Sequence, residues 1–297
     1  MKKWPYYIKL ISWGMISIFA LAGCSGKLAV RDMQEITEGE KLEGPEKENL
    51  QTVEMKRMDT EIKIPEIWEV DWSGYFDGFN GAAVIYDVSA PGFWIYNGEI
   101  ARTRRSPCST FKIVSSLIAL ENGIIHPDDS IHKWSGEVFW NEKWNKDMDF
   151  GGAFRDSCVW YFREVIDEIG PELMQDELDR LEYGNCDISD WEGRMNTNNN
   201  NRALTGFWIE SSLAISPKEQ TEVMERIFGE DSVYSMQAQN SLKEVMLVEG
   251  QGDGGMSIYG KTGMGKAEGR TDDKNVTSTA AKEIAIRLVE DYGKHTL

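Results

Sequence analysis

Ser109 and Lys112 are the residues of this 297-residue chain whose types and spacing most directly suggest covalent chemistry. Positions three apart on a helix share a face, so the hydroxyl and the amine lie within reach of each other. The stretch that carries them, Ser109 to Leu120, is apolar nearly all round and therefore belongs inside the protein. An ammonium buried there loses hydration, and its pKa falls toward a neutral amine that can accept the proton of a hydroxyl. A hydroxyl at a helix N-terminus, beside backbone N–H groups and the positive end of the dipole, suits acyl transfer through an oxyanion. A four-residue pattern also recurs by chance, and a lysine can snorkel out of a core. The pair therefore needs partners, and the sequence offers two: Lys261-Thr262-Gly263 closing the apolar run Met256 to Tyr259, and Ser157-Cys158-Val159 between aromatic neighbours.

The elements that must position these residues can be read in order. Gly81 to Asp87 and Gly92 to Tyr96 are two apolar runs separated by turn residues, which predicts a pair of strands. Pro107 before the Ser109 segment and Asn122-Gly123 after it mark the start and stop of the central helix. Val276 to Tyr292 reads as an amphipathic helix, with Thr277 or Ser278 as its cap. Tyr183-Gly184-Asn185 reads as a structural turn bordering the site.

In their order and residue types these motifs, with Phe207-Trp208-Ile209 and the following Ser211-Ser212-Leu213, closely resemble the class D β-lactamases from about Trp68 to Met264. The resemblance implies an α+β serine β-lactamase/penicillin-binding-protein-like fold, an antiparallel sheet flanked by helices plus a helical subdomain. It also implies hydrolysis of the β-lactam amide through an acyl-enzyme on Ser109. Lys112, carboxylated by carbon dioxide or bicarbonate, would be the general base, and no other cofactor is implied. Phe111, Val159, Trp208 and Ile209 would line the carbamate pocket, with the Trp208 indole N–H donating to the carbamate. Backbone N–H groups of Ser109 and Met264 would form the oxyanion hole. Ser157 would relay a proton to the leaving nitrogen with help from Lys261, and Lys261, Thr262 and Gly263 would receive a β-lactam antibiotic. A penicillin sensor that stays acylated, a peptidoglycan transpeptidase and an inactive deletion variant are the alternatives.

The resemblance breaks after Lys-Thr-Gly. Family members continue with two more sheet strands, whereas here Gly265 to Asn275 runs almost directly into the final helix, as though two strands were deleted. The sheet is therefore expected to be incomplete near the C-terminus and to expose an edge. Arg270 is a weak counterpart of the basic residue that the family sets there for the substrate carboxylate.

The N-terminus carries a separate message. Lys2, Lys3 and Lys9 precede the apolar run Leu10 to Ala22, and Leu21-Ala22-Gly23-Cys24 resembles a bacterial lipobox. The expected division is a lipoprotein signal peptide at 1–23, an acidic tether at 24–67 and a catalytic domain at 68–297. Cys24 would then anchor the exported protein to the outer face of the cell membrane. Thirty-two basic against fifty acidic side chains give a net charge of −18, which argues against nucleic-acid binding. Cys108, Cys158 and Cys186 are expected to be structural thiols, and His126, His132 and His295 show no metal-ligand spacing.

Overall fold

The computed structural model describes residues 6–12, 16–24, 65–88, 91–196, 199–248, 256–265 and 278–296. Among the described residues seven strands form one sheet: β1 (Tyr6–Ser12), β2 (Ile16–Cys24), β3 (Glu66–Glu69), β4 (Gly81–Asp87), β5 (Gly92–Tyr96), β6 (Met256–Tyr259) and β7 (Thr262–Met264). Their order is β3-β5-β4-β1-β2-β6, with β7 also paired to β2. The strand pair predicted at 81–87 and 92–96 forms with those bounds, in the register Ala83↔Tyr96 to Asp87↔Gly92. The sheet is mixed rather than antiparallel throughout, because β3 runs parallel to β5 from Glu66↔Gly92 to Glu69↔Ile95. β3 begins at Glu66, so the last two residues of the expected tether of 24–67 belong to a strand that supplies backbone partners to an otherwise bare sheet edge.

The sheet expected to be incomplete near the C-terminus shows no gap between β4 and β6 among the described residues. β1 pairs with β4 and β2 with β6, so the N-terminal hairpin occupies the place between them. Residues 1–23, expected to be a signal peptide, thus contribute β1 and most of β2, and Cys24 is the last residue of β2. Most of the tether, 25–64, lies outside the described residues, as do Arg270 and Thr277. Among the described residues no helix is long and apolar enough to cross a membrane.

Two helical layers cover this sheet. The C-terminal helix runs Ser278–Thr296, and its Ala281, Ile284, Ala285 and Leu288 pack with Phe76 and Ala83 of β4. On the other side stands the helical subdomain, whose core contains Ile113, Val114, Leu117 and Ile118 together with Trp160, Phe162, Val165 and Ile166. Its helices are α1 (Gly98–Arg102), α2 (Lys112–Glu121), α3 (Phe150–Arg155), α4 (Val159–Ile169), α5 (Pro171–Arg180), α6 (Pro217–Phe228) and α7 (Met236–Met246). The C-terminal helix is α8. α6 begins at a capping box, Ser216 accepting from the Glu219 backbone while Glu219 accepts from that of Ser216, with Pro217 at the first helical position.

Candidate active site

The nucleophile segment is a tighter structure than the sequence predicts. Cys108–Phe111 forms a 3-10 turn, and the α-helix begins only at Lys112. Just before it, Cys108 is held at φ +47°, a left-handed conformation that a regular helix cannot include. Such a residue costs about 1–3 kcal/mol and persists where its surroundings over-determine it. Here the Cys108 N–H donates to the Trp208 carbonyl at 2.8 Å. Ser106 binds the same loop twice, its hydroxyl donating to Trp208 O and accepting from the Glu210 N–H, each at 2.8 Å.

From this turn Ser109 meets the first residue of α2. The Lys112 Nζ lies 3.1 Å from the Ser109 Oγ, inside hydrogen-bond reach for proton transfer. Lys112 is 1% exposed, and its nitrogen sits 5.2 Å from the centroid of the Phe162 ring. Burial draws its pKa down from the ordinary lysine value of 10.5 to about 8. Phe111 and Trp208 are fully buried beside it, their rings stacked at 6.1 Å, while Val159 and Ile209 are half-buried against the same core. Arg163 backs the pocket from behind, its guanidinium 5.0 Å from the Trp208 ring and 5.2 Å from that of Trp191.

Ser157 approaches from the opposite side, and it too has a left-handed backbone, at φ +56°. Its turn is pinned by the Cys158 N–H to Ala153 O at 2.8 Å and by the Trp144 indole N–H to Asp156 O at 3.0 Å. The Lys261 Nζ donates to the Ser157 Oγ and to Thr262 O, both at 2.9 Å. Lys261 is 5% exposed, and burial together with the nearby Lys112 holds it well below the usual lysine range. Lys261 thus lies within hydrogen-bond reach of the Ser157 hydroxyl that the sequence expects it to help.

The Lys-Thr-Gly strand closes against the nucleophile turn, and glycine is required where they touch. A Cβ on Gly263 would lie 2.9 Å from the Thr110 Cγ2 and 3.1 Å from Pro107 O. The Met264 side chain is 62% exposed at the end of β7. A cavity of about 520 Å³ opens beside Lys261 and Thr262, lined also by Phe154, Arg155, Leu247 and Lys282. Ser109, Lys112 and Ser157 do not line it, so it adjoins the reacting groups without containing them.

Ser109, Phe111, Lys112, Ser157, Val159, Trp208 and Lys261 to Gly263 are thus brought together from separate segments of the chain. Residues that the sequence did not single out are Ser106, Phe162 and Arg163. Phe162 carried a signal: Val159, Phe162 and Ile166 repeat at helical spacing and place that ring on the face of the Ser-x-Val motif. Burial pushes the Cys108 and Cys158 thiols up to about 11, so both remain protonated at neutral pH. Gly184, at φ +60° with Ala214 O only 2.1 Å from where a Cβ would sit, makes Tyr183-Gly184-Asn185 a tight structural turn under Phe111. Among the described residues no cluster of His, Cys, Asp or Glu could hold a metal ion.

Residues 81–285 match the family model described as the penicillin binding protein transpeptidase domain. The chain belongs to this family. Within it, the probable beta-lactamase YbxI of Bacillus subtilis is 33% identical over 238 residues, covering 73% of this chain and 83% of that protein. Beta-lactamase OXA-1 of Escherichia coli is also 33% identical, over 67% of this chain and 70% of its own. The regulatory protein BlaR1 of Bacillus licheniformis is 30% identical across 75% of this chain, which spans only 39% of that longer protein. A solved class D β-lactamase from Bacillus subtilis superposes with a TM-score of 0.61 at 25% identity, covering 75% of this chain and 96% of its own. The C-terminal domain of the Bacillus licheniformis BlaR penicillin-receptor shares the fold, at a TM-score of 0.61 and 23% identity, over 77% and 97%. By name, these relatives are β-lactamases, a regulatory protein and a penicillin receptor.

Proposed function

We propose that the protein hydrolyses β-lactam antibiotics as a class D-type serine β-lactamase. The observation that carries this reading is the 3.1 Å contact between the Ser109 Oγ and a buried Lys112 whose pKa is drawn down to about 8. At neutral pH about a tenth of such an amine is unprotonated, against less than about one part in a thousand for an exposed lysine. A neutral Nζ in a pocket of Phe111, Phe162 and Trp208 suits carboxylation by carbon dioxide, which forms one N–C bond and releases one proton; the carbamate supplies a general base.

Ser109 then gives up its proton and attacks the β-lactam carbonyl, and the amide C–N bond breaks as the acyl-enzyme forms. Ser157 passes a proton to the leaving nitrogen and recovers one from Lys261 at 2.9 Å. A substrate carboxylate arriving beside Thr262 raises the pKa of Lys261 again, so its charge is supplied by the complex. Water finally cleaves the ester and frees Ser109. Homology to BlaR1 favours one further reading, a sensor whose acyl-enzyme persists.

Steady-state hydrolysis of a penicillin tests the proposal when run with and without bicarbonate. Turnover that rises with bicarbonate and vanishes in Ser109→Ala supports it. A wild-type protein that acylates once and stops is a sensor instead.

A further inference from the structure

Charged side chains are seldom buried unless they are paired, and among the described residues Arg163 is the only buried arginine, at 2% exposure. It follows Phe162 on α4, the helix that also brings Val159 to the pocket around Lys112. Its guanidinium lies over two indoles, 5.0 Å from the Trp208 ring and 5.2 Å from that of Trp191. One Nη donates to the Trp191 carbonyl at 3.0 Å, and the other donates to Asp167, one turn further along α4. Its Nε is buried and has no hydrogen-bond partner among the described residues. Leaving a buried donor unpaired is costly, and the two ring faces are what the guanidinium meets in return.

Trp208 is enclosed by this arrangement. The Phe111 ring stacks on it at 6.1 Å, and the indole presses so closely on Gly206 that no Cβ would fit there. Arg163 is in turn held from the surface. Asp167 accepts from both Nη groups of Arg202, at 2.6 and 3.0 Å, and from the Trp191 indole N–H at 3.3 Å. Arg202 also reaches Glu192 through its Nε at 2.6 Å. A guanidinium can hydrogen-bond in its plane and stack on its face at once, which an ammonium cannot do.

We infer that Arg163 is a positioning residue for the carboxylation of Lys112, acting through Trp208: it fixes the indole whose N–H would donate to the carbamate. A cation on the ring face also draws π density toward itself and strengthens that N–H as a donor. In the step served, the neutral Lys112 amine forms one N–C bond to carbon dioxide, one C–O π pair becomes carboxylate charge, and the amine proton leaves to solvent. A donor that is aimed and strengthened favours the anionic carbamate over the free amine. The role rests on the reading of Lys112 as a carboxylated base.

Arg163→Met in the full chain tests it. Protein freed of bicarbonate is titrated with carbon-13-labelled bicarbonate, and the carbamate carbon is read by NMR with no β-lactam present. The bicarbonate concentration that half-fills the carbamate should rise about 10-fold, the worth of one well-placed hydrogen bond. In Arg163→Lys, which keeps the charge and loses the fork, it should rise a few-fold. Penicillin hydrolysis by both variants should fall at low bicarbonate and return to near the wild-type kcat at saturation, a rescue that general damage to the fold would not show. Equal half-filling concentrations in the variants and wild type overturn the role, and so does a loss of kcat that bicarbonate does not restore. Should Arg163→Met fail to fold, Arg163→Lys decides, and the wild-type value there overturns the role. A wild type that carries the carbamate but never turns over a penicillin fails the hydrolase reading alone, and the occupancies still decide the role of Arg163. A wild type with no carbamate signal at saturating bicarbonate overturns both.

Discussion

The nucleophile wall and the Lys-Thr-Gly wall of the site are held by different means. Ser109, Lys112 and Ser157 rise from a helical core in which Phe111, Ile113, Phe154 and Phe162 are each at most 2% exposed. Their two strained backbones, at Cys108 and Ser157, are each fixed by short hydrogen bonds from neighbouring loops. Lys261 instead lies just before, and Gly263 in the middle of, the short strand β7, whose sheet partner, Ile16–Ile18, lies at the far end of the sequence. The first wall is therefore set by close packing, and the second by register. Perturbing the first should abolish chemistry, whereas perturbing the second should weaken substrate capture and alignment.

Ser109→Ala should produce the largest effect, a loss of about 10⁴-fold or more in penicillin hydrolysis with the melting temperature nearly unchanged, read by steady-state kinetics and calorimetry. Equal rates in that variant and wild type would break the comparison at its root. Gly263→Ala should cost less, about 10–100-fold in kcat/KM, because its Cβ must push β7 away from Thr110 and Pro107. Full activity there would show that the second wall tolerates displacement.

Lys112→Met should separate stability from function. The folded protein binds the Lys112 proton only up to about pH 8, the unfolded chain up to the ordinary value of 10.5. Between these values unfolding takes up a proton, so stability rises with pH; below pH 8 the whole penalty is present. Removing it is worth on the order of 3 kcal/mol at pH 7, less whatever misfit the thioether brings. In bicarbonate-free buffer the variant should melt several degrees higher than wild type at pH 7, and this advantage should shrink toward pH 10. A variant less stable than wild type at pH 7 would show that the buried amine is stabilised by its surroundings. Trp144→Phe should have the smallest effect. It removes the indole donor to Asp156 O, a hydrogen bond of 3.0 Å behind Ser157, at a cost of about 1 kcal/mol in stability and a few-fold in rate.

What was legible in the sequence follows the same division. The strand pair at 81–87 and 92–96 and the helix after Ser109 were readable because their signals are local: apolar runs bounded by turn residues, Pro107 before and Asn122-Gly123 after. The residues of the first wall came from short motifs whose spacing is itself the geometry. The start of α2 was misplaced by three residues because a left-handed Cys108 is imposed by Trp208 O, a long-range partner. Ser106 and Arg163 were missed for the same reason, since a loop clamp and a guanidinium stacked on Trp208 leave no periodic trace. The sheet between β4 and β6 was not legible at all. An apolar run of Ile, Phe, Leu and Ala has one composition whether it leads a chain out of the cell or lies under two helices.

Time-resolved intact-mass spectrometry of the full chain, mixed with a penicillin in bicarbonate buffer, tests the central claim most directly. The account predicts an adduct on Ser109 that appears and then decays while hydrolysed drug accumulates. No adduct at any time, in a protein that melts cooperatively, would contradict it.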